Sequence, residues 1–362
     1  MKNKQKILYF VDCLEYGGIQ KYISEIIDNI NNYQIDILTL KSKIDYPLED
    51  VLKSKGIKIY KINSLWSKNI IKNYQEARSF FENHHDYEIF HLHGTSKNYY
   101  LLKLAQKNNI NIRITHAHST DFSSQNIIKK IIGSILKNKL IKYSTNLVAC
   151  SNNAGKWLFN NHEFVVLNNG IDCQKYIFNE QVRNDLRKKY HLENKIVIGN
   201  VGRLSVLKNP LFLIDLLKEL VDENNNYFLV IIGTGELEDK IIKKIKINHL
   251  EENVLLLKNI NDVYNYYNMF DIFICPSKKE GFNLSLIEAQ INGLYCLVNE
   301  DSIPNEVIVS SNVLFMEKNN IKKYQSTIIN YDRRSNNLND NYQKYDVKVT
   351  TNQLEKYYDS LR

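Results

Sequence analysis

The sequence has no stretch of about 18 unbroken apolar residues, so no transmembrane helix is expected. Its opening Met-Lys-Asn-Lys-Gln-Lys runs straight into the apolar segment Ile7–Val11, without the longer apolar region and small-residue cleavage site of a signal peptide. The five cysteines, Cys13, Cys150, Cys173, Cys275 and Cys296, show neither CxxC nor zinc-site spacing. Most fall in or beside apolar runs, as reduced core thiols of a cytoplasmic protein do. A net charge of +8 favours an acidic partner. With no zinc finger, RNA-recognition signature or long basic run, nucleic acid is not expected, which leaves nucleotide phosphates and anionic lipid.

What is present is a soluble, globular composition, 43% hydrophobic and 24% charged, in a chain whose length suits two domains. Short apolar runs alternate with helical patterns. Strands are predicted at Ile7–Val11, Ile35–Leu40, Ile57–Ile62, Ile89–Leu92, Ile112–Thr115 and Leu147–Cys150. A second series is predicted at Ile196–Val201, Phe228–Gly233, Val254–Leu257, Ile272–Cys275 and Tyr295–Val298. Such alternation predicts an α/β chain of two Rossmann-like, doubly wound domains facing across a cleft. The expected divisions are 1–172, 173–345 and a terminal helix, 346–362, returning toward the first domain. The stretch from Asn319 to Asp346 is polar and shows little pattern.

Several motifs fall where predicted strands end, the rim at which open α/β sheets bind ligands. Gly17-Gly18 follows the first strand and opens a helix, so bare backbone there can approach a phosphate, or simply make a βα turn. Gly202-Arg203 and Lys208 follow the first strand of the second series, where an arginine fork and a movable lysine can grip an anion, or form a solvated basic loop. Gly233-Thr-Gly235 lacks the third glycine of a dinucleotide fingerprint, having Glu238 in its place. Glu280 and Glu288 flank a strand-to-helix junction with seven residues between them. Ser285-x-x-Glu288 also matches a capping box, in which Glu288 merely ties off the helix. His116 and His118 end a strand, and the expectation is that they point to opposite faces, one lining the cleft and one packed beneath it; His91 and His93 repeat the arrangement one strand earlier. No Asp/Glu cluster accompanies them, and no metal site is expected.

Together Gly17-Gly18, His118, Gly202-Arg203 with Lys208, Gly233-x-Gly235 and Glu280-x₇-Glu288 resemble the GT-B-fold retaining glycosyltransferases of family 4 (group 1). Within that family the chain is most similar to enzymes of bacterial capsule, exopolysaccharide and O-antigen assembly. Phrases such as Arg113-Ile-Thr-His-Ala-His-Ser, Leu167-Asn-Asn-Gly-Ile-Asp172 and Ile303-Pro-Asn-Glu-Val307 carry that resemblance. It implies a hexosyl or N-acetylhexosaminyl transfer from a nucleotide sugar, UDP-linked by expectation, to a lipid-linked oligosaccharide, at the cytoplasmic face of a membrane. The donor is a substrate, and no cofactor is implied. Arg203 and Lys208 would hold the diphosphate, Glu288 the ribose hydroxyls, and Glu280 would face the transferred sugar. Backbone N–H groups of Phe282, Asn283 and Leu284, with those of Gly17 and Gly18, would meet the phosphates. His118 would contact the donor sugar, with His116 in reserve. Two positions depart from the pattern: Gln20 stands where glutamate is frequent, and Asn283 where proline is. A nucleotide-sugar epimerase, a sugar phosphorylase or a non-catalytic binding protein remain as alternatives.

Ile127 to Lys142 reads as a basic amphipathic helix, with Lys129, Lys130, Lys137 and Lys139 among isoleucines. Two outcomes are open. Either Ile127, Ile131 and Ile135 bury against the sheet, or the helix lies on anionic lipid.

Overall fold

A computed structural model describes residues 4–15, 17–120, 127–330 and 340–362. The chain divides into two units, residues 1–170 with 347–362, and residues 171–346. In unit 1 the strands are β1 Gln5–Val11, β2 Tyr33–Leu40, β3 Ile59–Ile62, β4 Ile89–Leu92, β5 Ile112–Ala117, β6 Asn146–Ala149 and β7 Val165–Val166. They form one sheet in the order β3-β2-β1-β4-β5-β6-β7. In unit 2, β8 Ile196–Val201, β9 Tyr227–Ile232, β10 Val254–Leu257, β11 Ile272–Cys275, β12 Tyr295–Asn299 and β13 Val313–Met316 run in the order β10-β9-β8-β11-β12-β13. Every pairing is parallel. Parallel sheets are covered on both faces, and the central strands are accordingly near-continuous apolar runs: β4 and β11 are buried at all four positions.

The predicted alternation is therefore present, and the order reverses once in each sheet, between β1 and β4 and between β8 and β11. Those reversals are the switch points where a doubly wound sheet opens a crevice at its strand ends. The predicted elements did not include β7, β13 or the helix Ile321–Ile329. Residues 331–339 of the polar stretch lie outside the described residues.

Unit 1 is completed by the far end of the chain. Leu354 and Tyr358 of the helix Val347–Ser360 belong to the same apolar core as Ile7, Tyr9, Val11 and Ile35. The Glu355 carboxylate accepts the backbone N–H groups of Asn31 and Asn32 at 2.9 and 2.7 Å. Unit 2 has its own core around Leu213, Leu217, Ile231, Ile274 and Tyr324.

The helix Ile127–Tyr143 does not bury the isoleucines that one of the two sequence readings placed against the sheet. Its inward side is Gly133, Leu136, Lys137 and Leu140, whereas Ile127, Ile131 and Ile135 are 69%, 56% and 60% exposed, so they are not sheet-facing. Lys137 is held inside, its Nζ 2.5 Å from the Trp157 carbonyl and 3.8 Å from that ring's centre. The Lys129 side chain lies outside the described residues. Among the described residues no helix is long and apolar enough to cross a membrane.

Candidate active site

The switch point of unit 2 gathers most of the residues singled out by sequence. β8 and β11 pair only at Ile198↔Ile272 and Gly199↔Phe273, although both strands run on. Beyond that point the Asn200 side chain bridges to the Ile274 carbonyl at 2.8 Å. Lys208, from the loop after β8, reaches across to Glu280, from the loop after β11, with Nζ 2.6 Å from Oε1. Glu280 is buried and Lys208 about one-third exposed. Burial works against charge on Lys208, but the Glu280 carboxylate outweighs it and holds the ammonium above its ordinary pKa. The result is a fixed, oriented cation at a strand end. Glu280 is not a loose loop charge: its backbone N–H donates to Ser302, and its Oε1 also lies 3.3 Å from the Asn283 amide nitrogen.

Asn283 departs from both readings of the junction. The helix Leu284–Ile291 begins after Asn283, whose Oδ1 accepts the Leu286 N–H at 3.1 Å. Ser285 lies inside the first turn, so the Ser285–Glu288 capping box is not formed, and asparagine is the cap. Asn283 sits at φ +86°, which asparagine tolerates and proline's ring forbids. The cap consumes Leu286 N–H and leaves the N–H groups of Leu284 and Ser285 at the helix start, where anions are favoured. Phe282 turns its ring inward against Tyr345, 5.4 Å between centres. Glu288 is buried, and one carboxylate oxygen accepts the Tyr267 hydroxyl at 2.6 Å.

Gly233 and Gly235 have a structural task. An added Cβ at Gly233 would lie 1.9 Å from the Gly202 carbonyl oxygen, and one at Gly235 would lie 2.5 Å from that of Leu204. The close approach lets two loops interlock: Leu204 N–H donates to Thr234 at 2.8 Å, and Leu237 N–H to Leu204 at 3.0 Å. This lock fixes the backbone on either side of Arg203. The Arg203 side chain is 67% exposed, with Nε 3.9 Å from the Glu236 carboxylate.

Unit 1 has a different kind of site at its own switch point. Gly17 precedes the helix Gly18–Asn29, and an added Cβ at Gly18 would meet open space. Gln20, the departure from glutamate, donates its amide to the Cys13 carbonyl at 2.8 Å and braces the loop. The four histidines form one stack. His116 and His118 lie 4.1 Å apart at 26°, and His91 and His93 lie 4.2 Å apart at 27°. The expected opposite facing is thus incorrect: residues two apart on a strand share a face. The β4–β5 register, His91↔Ile114 and Leu92↔Thr115, sets the two pairs beside each other. Tyr22 of the first helix covers His93, His116 and His118 at 5.5–5.9 Å.

His93 Nδ1 and His118 Nε2 share a hydrogen bond of 2.9 Å, and His91 Nδ1 is bonded to the Tyr358 hydroxyl at 2.7 Å. Burial pushes His118 down to about 3 and holds His91, His93 and His116 well below the usual histidine range. All four rings are therefore neutral. Ring nitrogens of His91, His93 and His116 come within 4.8 Å of one another. The His91 ring lies at 27° to His93 and 11° to His116, so the three rings are stacked.

Within unit 2 the structure brings together Lys208, Glu280, Asn283 and the helix start; within unit 1 it brings together His118, His116, His93 and His91. Sequence reasoning missed the supports. Asn299 donates to the Pro276 and Ser277 carbonyls and accepts from Tyr324, so it holds the loop that carries Glu280. Its only sequence signal is its position at the end of β12.

The family described as glycosyl transferases group 1 matches residues 182–346. The UDP-Gal:alpha-D-GlcNAc-diphosphoundecaprenol alpha-1,3-galactosyltransferase of Escherichia coli is 27% identical over 298 residues, 78% of this chain and 76% of its own. The capsular polysaccharide biosynthesis glycosyltransferase CapH of Staphylococcus aureus is 24% identical over 98% of both chains. Among solved structures, Anabaena Alr3699/HepE in complex with UDP and glucose superposes with a TM-score of 0.83 at 16% identity, over 98% of this chain and 100% of that one. With its two doubly wound sheets the chain has the GT-B fold, and the region that carries the charged strand-end site is the one that matches the group 1 glycosyltransferases.

Proposed function

We propose that this protein transfers a hexosyl or N-acetylhexosaminyl group from a UDP-sugar to a lipid-linked saccharide during bacterial surface polysaccharide assembly, with retention at the anomeric carbon. The observation that carries this reading is the Lys208–Glu280 pair spanning the unit 2 switch point beside the start of the helix Leu284–Ile291. A lysine held charged there, with Arg203 projecting from the interlocked loop, suits a diphosphate. The E. coli relative's name specifies UDP-Gal and a diphosphoundecaprenol acceptor, which supports the donor and acceptor classes.

In this reading the Arg203 and Lys208 cations and the N–H groups of Leu284 and Ser285 offset charge developing on the leaving diphosphate. Glu288 accepts ribose hydroxyls, Glu280 faces the transferred sugar, and Gly17 and Gly18 offer unit 1 backbone to phosphate. His118 is the neutral unit 1 group assigned to the donor sugar. The bond from the anomeric carbon to the diphosphate oxygen breaks as the acceptor oxygen bonds to the same face. The acceptor proton passes to the leaving phosphate. Cations supplied by side chains make turnover in EDTA the expected result.

The test is UDP release from a panel of UDP-sugars with and without undecaprenyl-linked acceptors, with the product analysed by mass and NMR. Release that needs both substrates, together with an α-linked product from an α-linked donor, is expected. Acceptor-independent conversion would indicate an epimerase, and donor binding without turnover a binding protein; either result overturns the proposal.

A further inference from the structure

Two exposed apolar segments of unit 1 flank a single turn. The first is Trp66-Ser-Lys-Asn-Ile-Ile-Lys72, in which every residue is exposed, Trp66 at 47%, Ile70 at 57% and Ile71 at 76%. The second is the outer side of the helix Ile127–Tyr143, whose Ile127, Ile128, Ile131, Ile132 and Ile135 are all exposed. These positions recur at intervals of one and four, the stripe of one helix face. The turn Ser96–Asn98 ties the segments together. Trp66 Nε1 donates to the Lys97 carbonyl at 3.2 Å, and the neighbouring Ser96 hydroxyl donates to the Gly133 carbonyl inside the helix at 2.9 Å.

Seven isoleucines and a tryptophan exposed around one turn make a larger apolar surface than scattered side chains do. Its charge selects the occupant. Residues 66–75 and 127–143 together hold seven lysines and no carboxylate. Lys137 is held against Trp157, while Lys68, Lys72, Lys139 and Lys142 are exposed. A protein partner would meet this surface with carboxylates at fixed points, whereas a bilayer of anionic lipid supplies both apolar depth and diffuse negative charge. Tryptophan is the side chain best suited to the headgroup boundary.

We infer that Trp66, Ile70 and Ile71 with the isoleucine stripe of the helix Ile127–Tyr143 form a two-part docking face for an anionic bilayer. It rests on the proposed function only in giving membrane contact a purpose, namely access to a lipid-linked acceptor. The face itself is testable without donor or acceptor.

The experiment is flotation of the full chain with vesicles of phosphatidylglycerol and phosphatidylcholine, against vesicles of phosphatidylcholine alone. The variants are W66S/I70S/I71S, I127S/I131S/I135S and the combination, each checked for folding by thermal melting. Wild type is expected to float with the anionic vesicles. Each triple variant should lose more than about tenfold in affinity, and the combination all binding. A blue shift of tryptophan emission on vesicle addition should vanish in W66F, since Trp157 is the chain's only other tryptophan. Undiminished flotation of the combined variant overturns the inference, as does a wild type that stays in solution. A concentration-dependent dimer abolished by the variants, with no vesicle binding, would assign the surface to a second copy and overturn it too. Binding without sugar transfer would retain the docking face and remove the functional reading, so the two failures are distinguishable.

Discussion

The two units share a winding and a switch point, yet they fill the mouth of that point with opposite chemistry. Unit 1 places four uncharged imidazoles there, stacked beneath Tyr22 and anchored by Tyr358. Unit 2 places an ion pair and a capped helix start. The sheet therefore determines where a polar site sits, while the loops determine whether that site is neutral or charged. A neutral stack offers hydrogen bonds without carrying a charge. A lysine locked to a carboxylate keeps its charge and its direction.

The largest expected effect that sharpens this contrast is acid sensitivity confined to unit 1. The histidines' folded pKa values lie below the unfolded value of about 6.5, so between the two the unfolded chain binds more protons. Stability is whole above about pH 6.5 and falls as the pH drops toward the folded value, about 3 for His118. The slope is on the order of 1.4 kcal/mol per pH unit for each histidine that must charge. Hydrogen exchange, corrected for its intrinsic pH dependence, should show unit 1 peptides opening before unit 2 peptides between pH 6.5 and 5. Simultaneous opening would break the comparison.

Next in size, Glu280→Ala should lower turnover by about 10²–10³-fold. It should also cost about 1–3 kcal/mol in stability, because Lys208 loses its partner in a partly buried site. Calorimetric denaturation alongside kinetics checks both; a fully active variant would show that the pair is structural. Arg203→Ala should leave stability within about 0.5 kcal/mol. It should weaken UDP binding by about 1.5–3 kcal/mol, as measured by titration calorimetry. Smallest, Asn283→Ala should cost about 1 kcal/mol through the lost cap. Asn283→Pro should cost more, because the backbone at φ +86° must rearrange. Urea denaturation of the two variants separates these values.

Much of the fold was legible because a buried parallel strand is a short apolar run, and eleven of these announce themselves. β7 has two residues and carries no pattern, whereas β13, Val313–Met316, is an apolar run like the others, set on a sheet edge with Leu314 and Phe315 exposed. In the site, the strand ends predicted the locations of Lys208, Glu280 and His118. The pairing of Lys208 with Glu280, 72 residues apart, depends on how two loops leave diverging strands, which no local spacing encodes. The histidine stack was half legible: a period of two puts His116 and His118 on one face, but bringing His91 and His93 beside them requires the β4–β5 register. At the helix start the sequence pointed to the Ser285–Glu288 capping box, whereas the left-handed backbone at Asn283 places the cap two residues earlier.

The return of residues 347–362 to unit 1 has a consequence for synthesis. A chain emerging from its amino terminus ordinarily completes its first domain first. Here Tyr358, which bonds to both Tyr9 and His91, is translated after all of unit 2. The opening strands must therefore wait, with part of their core uncovered, until a later domain has been made. The domain begun first is finished after the second, and its histidine stack gains its anchor only once unit 2 has been translated.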